Sequence, residues 1–448
     1  MNEYIERVLA EVRTRDRAEP EFLQTVEEVL TSLEPLVERH PEYEKYGLLE
    51  RIVEPERVVQ FRVPWVDDNG RVRVNRGFRV QFNSAIGPYK GGLRFAPTVS
   101  LSVMKFLAFE QTFKNSLTTL PMGGGKGGSD FDPNGKSEME IMRFCQSFMT
   151  ELYRHIGPNL DVPAGDIGVG GREIGFLFGQ YKRIRNQYEN GVLTGKGLSY
   201  GGSLIRPEAT GFGAVYYLNE VLNHVKDTLV GKTVAISGFG NVAWGVCIKA
   251  TQLGGKVVTL AGPDGFIYDP AGVGTPEKWA YLLEMRNSGR NRVQDYADKF
   301  QVEFHAKQKP WNVPVDICMP SAYENEIKME EAKQIVANGV KYYVEVANMP
   351  TTNEALGYLM QNGVLCAPSK AVNAGGVSVS GLEMSQNSER RNWSKEDVDR
   401  QLKAIMKNIH DASMEAAKEC GLGYNLVAGA NLAGFMKVAN AMLAQGIV

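Results

Sequence analysis

The sequence predicts an α/β protein of two domains: an N-terminal α/β domain, then a doubly wound parallel sheet, with a last helix returning to the first domain. Three observations predict this. The chain has 448 residues, beyond the roughly 250–300 at which a single core stops growing. Over residues 57–82 apolar residues alternate with a period of two about an Asn69-Gly70 turn, a hairpin signal. From about residue 208, apolar strand-like runs alternate with helical segments, the pattern of βα units around a parallel sheet. The expected boundaries are 1–202 and 203–424, with 425–448 returning to the first domain.

Residues 3 to about 50 read as helices with turns near Pro20 and Pro41. Helical spacing of Val26, Val29, Leu30 and Leu33 suits a core or a subunit interface. The hairpin follows as VVQFRVPWV, DDNG and RVRVNRGFRVQF, its edge either mediating assembly or facing solvent. Next come NSAIGPYKGGLRF, a helix over 99–120 and PMGGGKGGSD. On that helix Val103, Phe106, Leu107, Phe113 and Leu117 form one apolar stripe, with Glu110 and Lys114 inside it. Lys90 and Lys126 fall in glycine-bearing loops on either side. The three lysines are either an i,i+4 pair plus two solvated loop residues, or a cationic pocket for a small anion with two carboxylates. A helix over 137–155 leads to DVPAGDIGVGGREIG, where Asp161 and Asp166 lie in a loop before an apolar helix. Either caps that helix; beside cationic loops, Asp166 is also a candidate proton-transfer group. GVLTGKGLSYGGS, leading toward Arg206, reads as a hinge.

In the second domain a strand at 232–237 runs into GFGNVA, which opens a helix, and KVVTLAG ends near Asp264. Further strands are expected at 315–320, 341–348 and 364–369, with helices around 279–300, 328–338, 394–420 and 426–445. Strand, glycine turn, helix and second strand in that order make Gly238, Phe239, Gly240, Asn241 and Val242 a Rossmann-type pyrophosphate-binding turn. Asp264, 26 residues after Gly238, is the candidate acid for the adenosine ribose hydroxyls. With no arginine in AGPDGF, this favours NAD, with NADP or dual use as the alternative.

Composition excludes other classes. A net charge of -2 and a pI near 6.3 exert no general pull on nucleic acid or anionic membrane. The cysteines, at 145, 247, 318, 366 and 420, have no CxxC spacing and the histidines no HExxH pair. This fits a reducing compartment with neither a disulfide frame nor a metal site. No signal-peptide core or long uninterrupted apolar run is present, so the expectation is a cytoplasmic protein off the membrane. GLSYG matches a hydrolase elbow but lacks the preceding strand. GGGKGG has Gly127 where a phosphate-binding loop needs Ser or Thr.

The motifs GPYKGGLRF, PMGGGKGGSDFDP, DVPAGDIGVGGREIG, GGSLIRPEATG, SGFGNV, EVANMPTT and KAVNAGGVSVSGLEMSQN, in this order, resemble the hexameric glutamate dehydrogenases. The resemblance runs from about residue 50 to the C-terminus and is nearest the bacterial NAD-type enzymes. It implies a substrate-binding and assembly domain followed by an NAD-binding domain, in a homohexamer acting on glutamate, 2-oxoglutarate and ammonium. By the same resemblance Lys90 and Ser380 would bind the side-chain carboxylate, and Lys114 the α-carboxylate; Gln111 would also contact substrate. Lys126 would be the catalytic lysine and Asp166 the general acid/base. Asn373 would lie against the amino group, and Arg206, Thr210, Asn241 and Asn348 would contact cofactor. Related branched-chain and aromatic amino-acid dehydrogenases have an apolar residue where Lys90 stands, so Lys90 argues for glutamate. The chain departs from the family at Pro320–Glu326, where PSAYENE replaces PCATQNE and puts Tyr323 and Glu324 near the cofactor.

Overall fold

A computed structural model describes residues 2–448, which form two units. The first comprises the chain up to Leu204 with Val379–Val398 and Asn431–Val448; the second comprises Ile205–Ser378 and Asp399–Ala430.

In the first unit five strands, β1 (Arg57–Val66), β2 (Val72–Asn83), β3 (Tyr89–Phe95), β4 (Gly124–Ser129) and β5 (Asp161–Gly165), form a sheet in the order β1-β2-β4-β3-β5. The hairpin forms as the Asn-Gly signal predicts, with Val66 opposite Val72. β2 is antiparallel to β1 and β4, whereas β3 is parallel to both β4 and β5.

Lys90 and Lys126 therefore sit inside strands β3 and β4, not in the loops the glycines suggested. The glycines serve close approach. A Cβ at Gly91 would lie 1.6 Å from the Gly125 carbonyl oxygen, and one at Gly124 would lie 1.9 Å from Thr112 Oγ1. Helix Leu101–Leu117 can thus press its backbone onto the sheet.

The same contact keeps Phe113 and Leu117 of the expected apolar stripe buried but displaces the rest of it. Met104, Lys105, Ala108, Phe109, Thr112, Phe113 and Ser116 are buried, whereas Val103, Phe106, Leu107, Glu110 and Lys114 are only half-buried. Small residues fit a glycine sheet, and Lys105 is tolerated there because Asp16 and Glu19 pair with it at 2.9 and 2.5 Å.

Asp161 opens a strand rather than lying in a loop, and the cap of helix Gly171–Arg185 is Gly170, not either aspartate. An aromatic core around Phe95, Phe131, Phe144 and Phe148 is buried with residues of helices Glu138–Leu152 and Gly171–Arg185. The stretch read as a hinge is anchored: Tyr200 stacks on Phe178 at 5.6 Å, and Gln386 Nε2 donates to Ser203 Oγ at 2.8 Å.

Helix Leu426–Gln445 is long and apolar enough by composition to cross a membrane. Its Leu432, Phe435, Val438 and Ala439 are buried in protein. From Asn431 onward it belongs to the first unit, where Ser116 Oγ donates to the Gly434 carbonyl at 2.9 Å.

In the second unit β6 (Thr233–Ile236), β7 (Lys256–Val257), β8 (Thr259–Gly262), β9 (Gly265–Tyr268), β10 (Glu303–Ala306), β11 (Ile317–Met319), β12 (Tyr342–Val344) and β13 (Leu365–Ala367) form two sheets. The parallel sheet has the order β13-β12-β11-β6-β7, and a side sheet has the order β10-β9-β8. KVVTLAG is therefore two strands: β7 pairs with β6, and β8 turns away to pair antiparallel with β9. The helical expectation over 279–300 resolves into Pro276–Asn287 and Gln294–Phe300, with Gly289 between them at φ 69°. The small, polar run at 375–389, to which periodicity assigned no element, is a helix. A Cβ at Gly375 would lie 2.3 Å from the Ala209 carbonyl, so its small residues let it pack against helix Ala209–His224.

Candidate active site

The ladders of the first unit place the charged residues. Lys90 stands opposite Val162 on β5, Lys126 opposite Val80 on β2, and Leu93 opposite both Gly127 and Gly165. Asp166 directly follows β5. Lys126 Nζ lies 3.2 Å from Asp166 Oδ2, and Arg94 Nε donates to the same oxygen at 2.7 Å. The fully buried Lys90 ammonium donates to the Val162 carbonyl at 2.9 Å and to Thr194 Oγ1 at 2.7 Å.

Helix Leu101–Leu117 is tied to this cluster by Asn115. Its amide donates to the Lys90 carbonyl at 3.0 Å and to the Gly123 carbonyl at 2.5 Å, and Gln111 Nε2 donates to its oxygen at 2.6 Å. Lys114, beside Asn115, is half-buried. Ser380 is buried on helix Gly375–Glu389. Three residues further on, the Glu383 carboxylate accepts from the Gly195 N–H at 2.9 Å, next to Thr194.

Lys126 and Asp166 are thus in direct contact. Lys90 and Gln111 are joined through Asn115, and the Ser380 helix reaches Thr194 through Glu383. Asp161 does other work. Arg79 and Asp161 form a fully buried ion pair in which Arg79 Nε donates at 2.8 Å, while Arg79 Nη1 donates to the Gly91 carbonyl at 3.1 Å. Breaking such a pair strands a buried charge, so it ties β5 to β2 across the sheet, with β3 held between them through Gly91.

The electrostatics of the contact suit proton exchange. Burial pushes the Lys126 ammonium down, Asp166 pulls it partly back up, and Arg94 lowers it again; it ends below an ordinary lysine. Burial pushes the Asp166 carboxyl up, but the Lys126 and Arg94 charges outweigh this and hold it below the usual carboxylate range. The result is a firmly ionised carboxylate against an amine that releases its proton more readily than usual.

Sequence reading missed Arg94, Thr194 and Asn115. Arg94 lay in GPYKGGLRF, where its charge was a usable signal; Thr194 and Asn115 carried none.

In the second unit Gly238 takes φ 80° and Gly240 caps helix Asn241–Gln252. Nothing lies within 4 Å of a Cβ built on Gly240, so the helix N-terminus is open. It faces a cleft of about 950 Å³ lined by Gly238, Phe239, Gly240, Asn241 and Val242 together with Arg286, Arg290 and Lys307. Open N–H groups, glycines and cations fit a dinucleotide pyrophosphate.

Asp264 departs from the sequence expectation. Its carboxylate accepts from the Val293 and Gln294 N–H groups at 2.9 and 3.0 Å, capping helix Gln294–Phe300. AGPDGF has no arginine, yet Arg286, Arg290 and Lys307 reach the cleft from later segments. Asn241 Oδ1 accepts from Arg286.

Thr210 and Arg206 both flank Gly376, whose Cβ position is 2.7 Å from Thr210 Oγ1 and 3.8 Å from Arg206 Nη1. Asn373 Nδ2 donates to Asn348 Oδ1 at 2.8 Å, while the buried Asn373 Oδ1 has no hydrogen-bond partner among the described residues. In PSAYENE, Tyr323 is exposed at the cleft, and Ser237 Oγ donates to the Glu326 carboxylate at 2.8 Å.

Comparison with known proteins agrees with both halves of this description. Residues 55–183 match the Glu/Leu/Phe/Val dehydrogenase dimerisation domain and residues 201–446 match the Glutamate/Leucine/Phenylalanine/Valine dehydrogenase domain. The chain is 68% identical over 448 residues to an NAD-specific glutamate dehydrogenase of Clostridium symbiosum, covering 100% of both chains. It is 56% identical over 440 residues to an NADP-specific glutamate dehydrogenase of Haemophilus influenzae, covering 98% of each. A solved glutamate dehydrogenase structure superposes with a TM-score of 0.98 at 68% identity over 100% of both chains. The chain belongs to the Glutamate/Leucine/Phenylalanine/Valine dehydrogenase family.

Proposed function

We propose that this chain catalyses the reversible oxidative deamination of L-glutamate to 2-oxoglutarate and ammonia, with NAD as the favoured hydride acceptor. The observation that carries the reading is the contact of buried Lys126 with the half-buried Asp166, in the same sheet as the buried Lys90. NAD supplies the acceptor for the hydride leaving the substrate α-carbon. Lys90 with Ser380 takes the side-chain carboxylate, and Lys114 with Gln111 the α-carboxylate. A charge-assisted contact of this kind contributes about 1.5–3 kcal/mol. Once the α-carbon is an imine, Lys126 in its neutral form takes a proton from attacking water. Asp166 passes protons between the resulting carbinolamine and the departing amine, and ammonia leaves.

NAD is favoured because the 68% identical relative is NAD-specific. The NADP-specific relative at 56% identity and the cleft cations keep dual use as the alternative. Initial rates of ammonium-dependent oxidation of NADH and NADPH with 2-oxoglutarate test both points. The expected result is turnover with NADH the faster. No turnover with either would reduce the protein to a dinucleotide binder, and faster NADPH turnover would reverse the cofactor choice.

The matched dimerisation domain and the exposed Val66, Val72 and Val74 of the hairpin support assembly into a homohexamer, which light scattering would test. Five free, buried cysteines support a reducing, cytoplasmic setting.

A further inference from the structure

The Lys196–Glu383 pair lies outside the residues assigned to substrate, yet neither side chain has any exposed surface. Lys196 Nζ bonds Glu383 Oε1 at 2.7 Å and Asn387 Oδ1 at 2.9 Å, and it also donates to the Leu193 carbonyl. Glu383 in turn accepts from the backbone N–H groups of Gly195 at 2.9 Å and Lys196 at 3.4 Å. The two side chains therefore clamp residues 193–196 from both sides. Thr194, in the middle, has its N–H on the Pro163 carbonyl at 3.0 Å and its hydroxyl 2.7 Å from Lys90 Nζ. Ser380 precedes Glu383 by one turn of the same helix.

Apolar replacement of a buried ion pair is often neutral or stabilising, so stability alone is a weak reason for two charges here. Their geometry supplies a better one. Without the clamp, Thr194 loses the support that holds its hydroxyl against the Lys90 ammonium, and the helix that carries Ser380 loses its register against that segment. We propose that the Lys196–Glu383 pair is a positioning device that sets substrate selectivity by fixing Lys90 and Ser380 relative to each other. The inference rests on the proposed glutamate reaction and goes beyond it, because neither residue is assigned to substrate.

The test compares wild type with Lys196→Met and with the paired variant Lys196→Met/Glu383→Gln. The paired variant leaves no buried lone charge, and the glutamine oxygen still accepts from Gly195. Measured quantities are KM for glutamate, norleucine and NAD, the kcat with each amino acid, and the urea unfolding midpoint. Expected for the folded paired variant is a KM for glutamate raised about tenfold and a glutamate-to-norleucine kcat/KM ratio lowered about tenfold, as for a displaced binding group. KM for NAD should stay within about twofold. A folded variant, single or paired, with an unchanged ratio would overturn the inference, as would equal losses with both amino acids. Those losses would mean the pair is structural only. Wild-type turnover of glutamate is the separate control on the reaction itself, and its absence would overturn both readings.

Discussion

Replacing Asp166 with asparagine removes a charge while keeping a shape. The new Oδ1 can still accept from Arg94 Nε, which now bonds Asp166 at 2.7 Å, so the side chain stays in place. Two things are lost: a group that can be protonated during the reaction, and the negative charge that raises Lys126 against the lowering effect of burial and of Arg94. Lys126 then titrates lower still. A positioned acid/base contributes about 10²–10⁴-fold, which is about 3–5 kcal/mol of barrier. Asp166→Asn should therefore lower kcat by two to four orders of magnitude on that scale. The assay is ammonium-dependent NADH oxidation with 2-oxoglutarate from about pH 6 to about pH 9, where the limb set by Lys126 should move to lower pH once the Asp166 charge is gone. Unfolding in urea checks that the variant, which leaves Lys126 and Arg94 without their carboxylate, remains folded. A folded variant turning over within about tenfold of wild type, with an unchanged pH profile, would remove Asp166 from proton transfer.

Lys90→Leu should transfer preference from glutamate to norleucine, because an apolar group replaces the ammonium that Val162 and Thr194 orient; an unchanged kcat/KM ratio for the two would refute the role of Lys90. Gly124→Ala should destabilise by about 1–3 kcal/mol in urea, since its Cβ would meet Thr112 Oγ1 at 1.9 Å. Burial pushes the Glu345 carboxyl from 4.5 up to about 7, so the native chain holds a proton that the unfolded chain releases. That contribution is complete below the unfolded value and is lost as pH rises through about 7. Glu345→Gln should flatten the fall in urea midpoint between about pH 5 and about pH 8, and a slope equal to wild type would contradict the argument.

Local pattern was enough for the hairpin at Asn69-Gly70, the βα alternation and the glycine turn at Gly238, because each depends on residues a few positions apart. The lysines at 90, 114 and 126 and the aspartate at 166 stood out in the same way, since charges in apolar or glycine-rich surroundings need a reason. What those glycines meant was not legible. Glycine marks both a turn and a surface against which backbone can press, and only the packing of helix Leu101–Leu117 on β4 shows the second use.

Partnership across the chain was hidden for the same reason. Asp161 and Asp166 were both candidate caps in one motif, until Arg79, 82 residues away, claimed the first and Lys126 with Arg94 the second. Asp264 had the chemistry of a ribose acid, but the N–H groups of Val293 and Gln294 were nearer. The sequence by itself determined the hairpin, the βα alternation and the glycine turn, and which charges must find partners. Tertiary structure alone decided who those partners are, because a hydrogen bond depends on distance in space, and spacing along the chain carries no information about it beyond a turn or two.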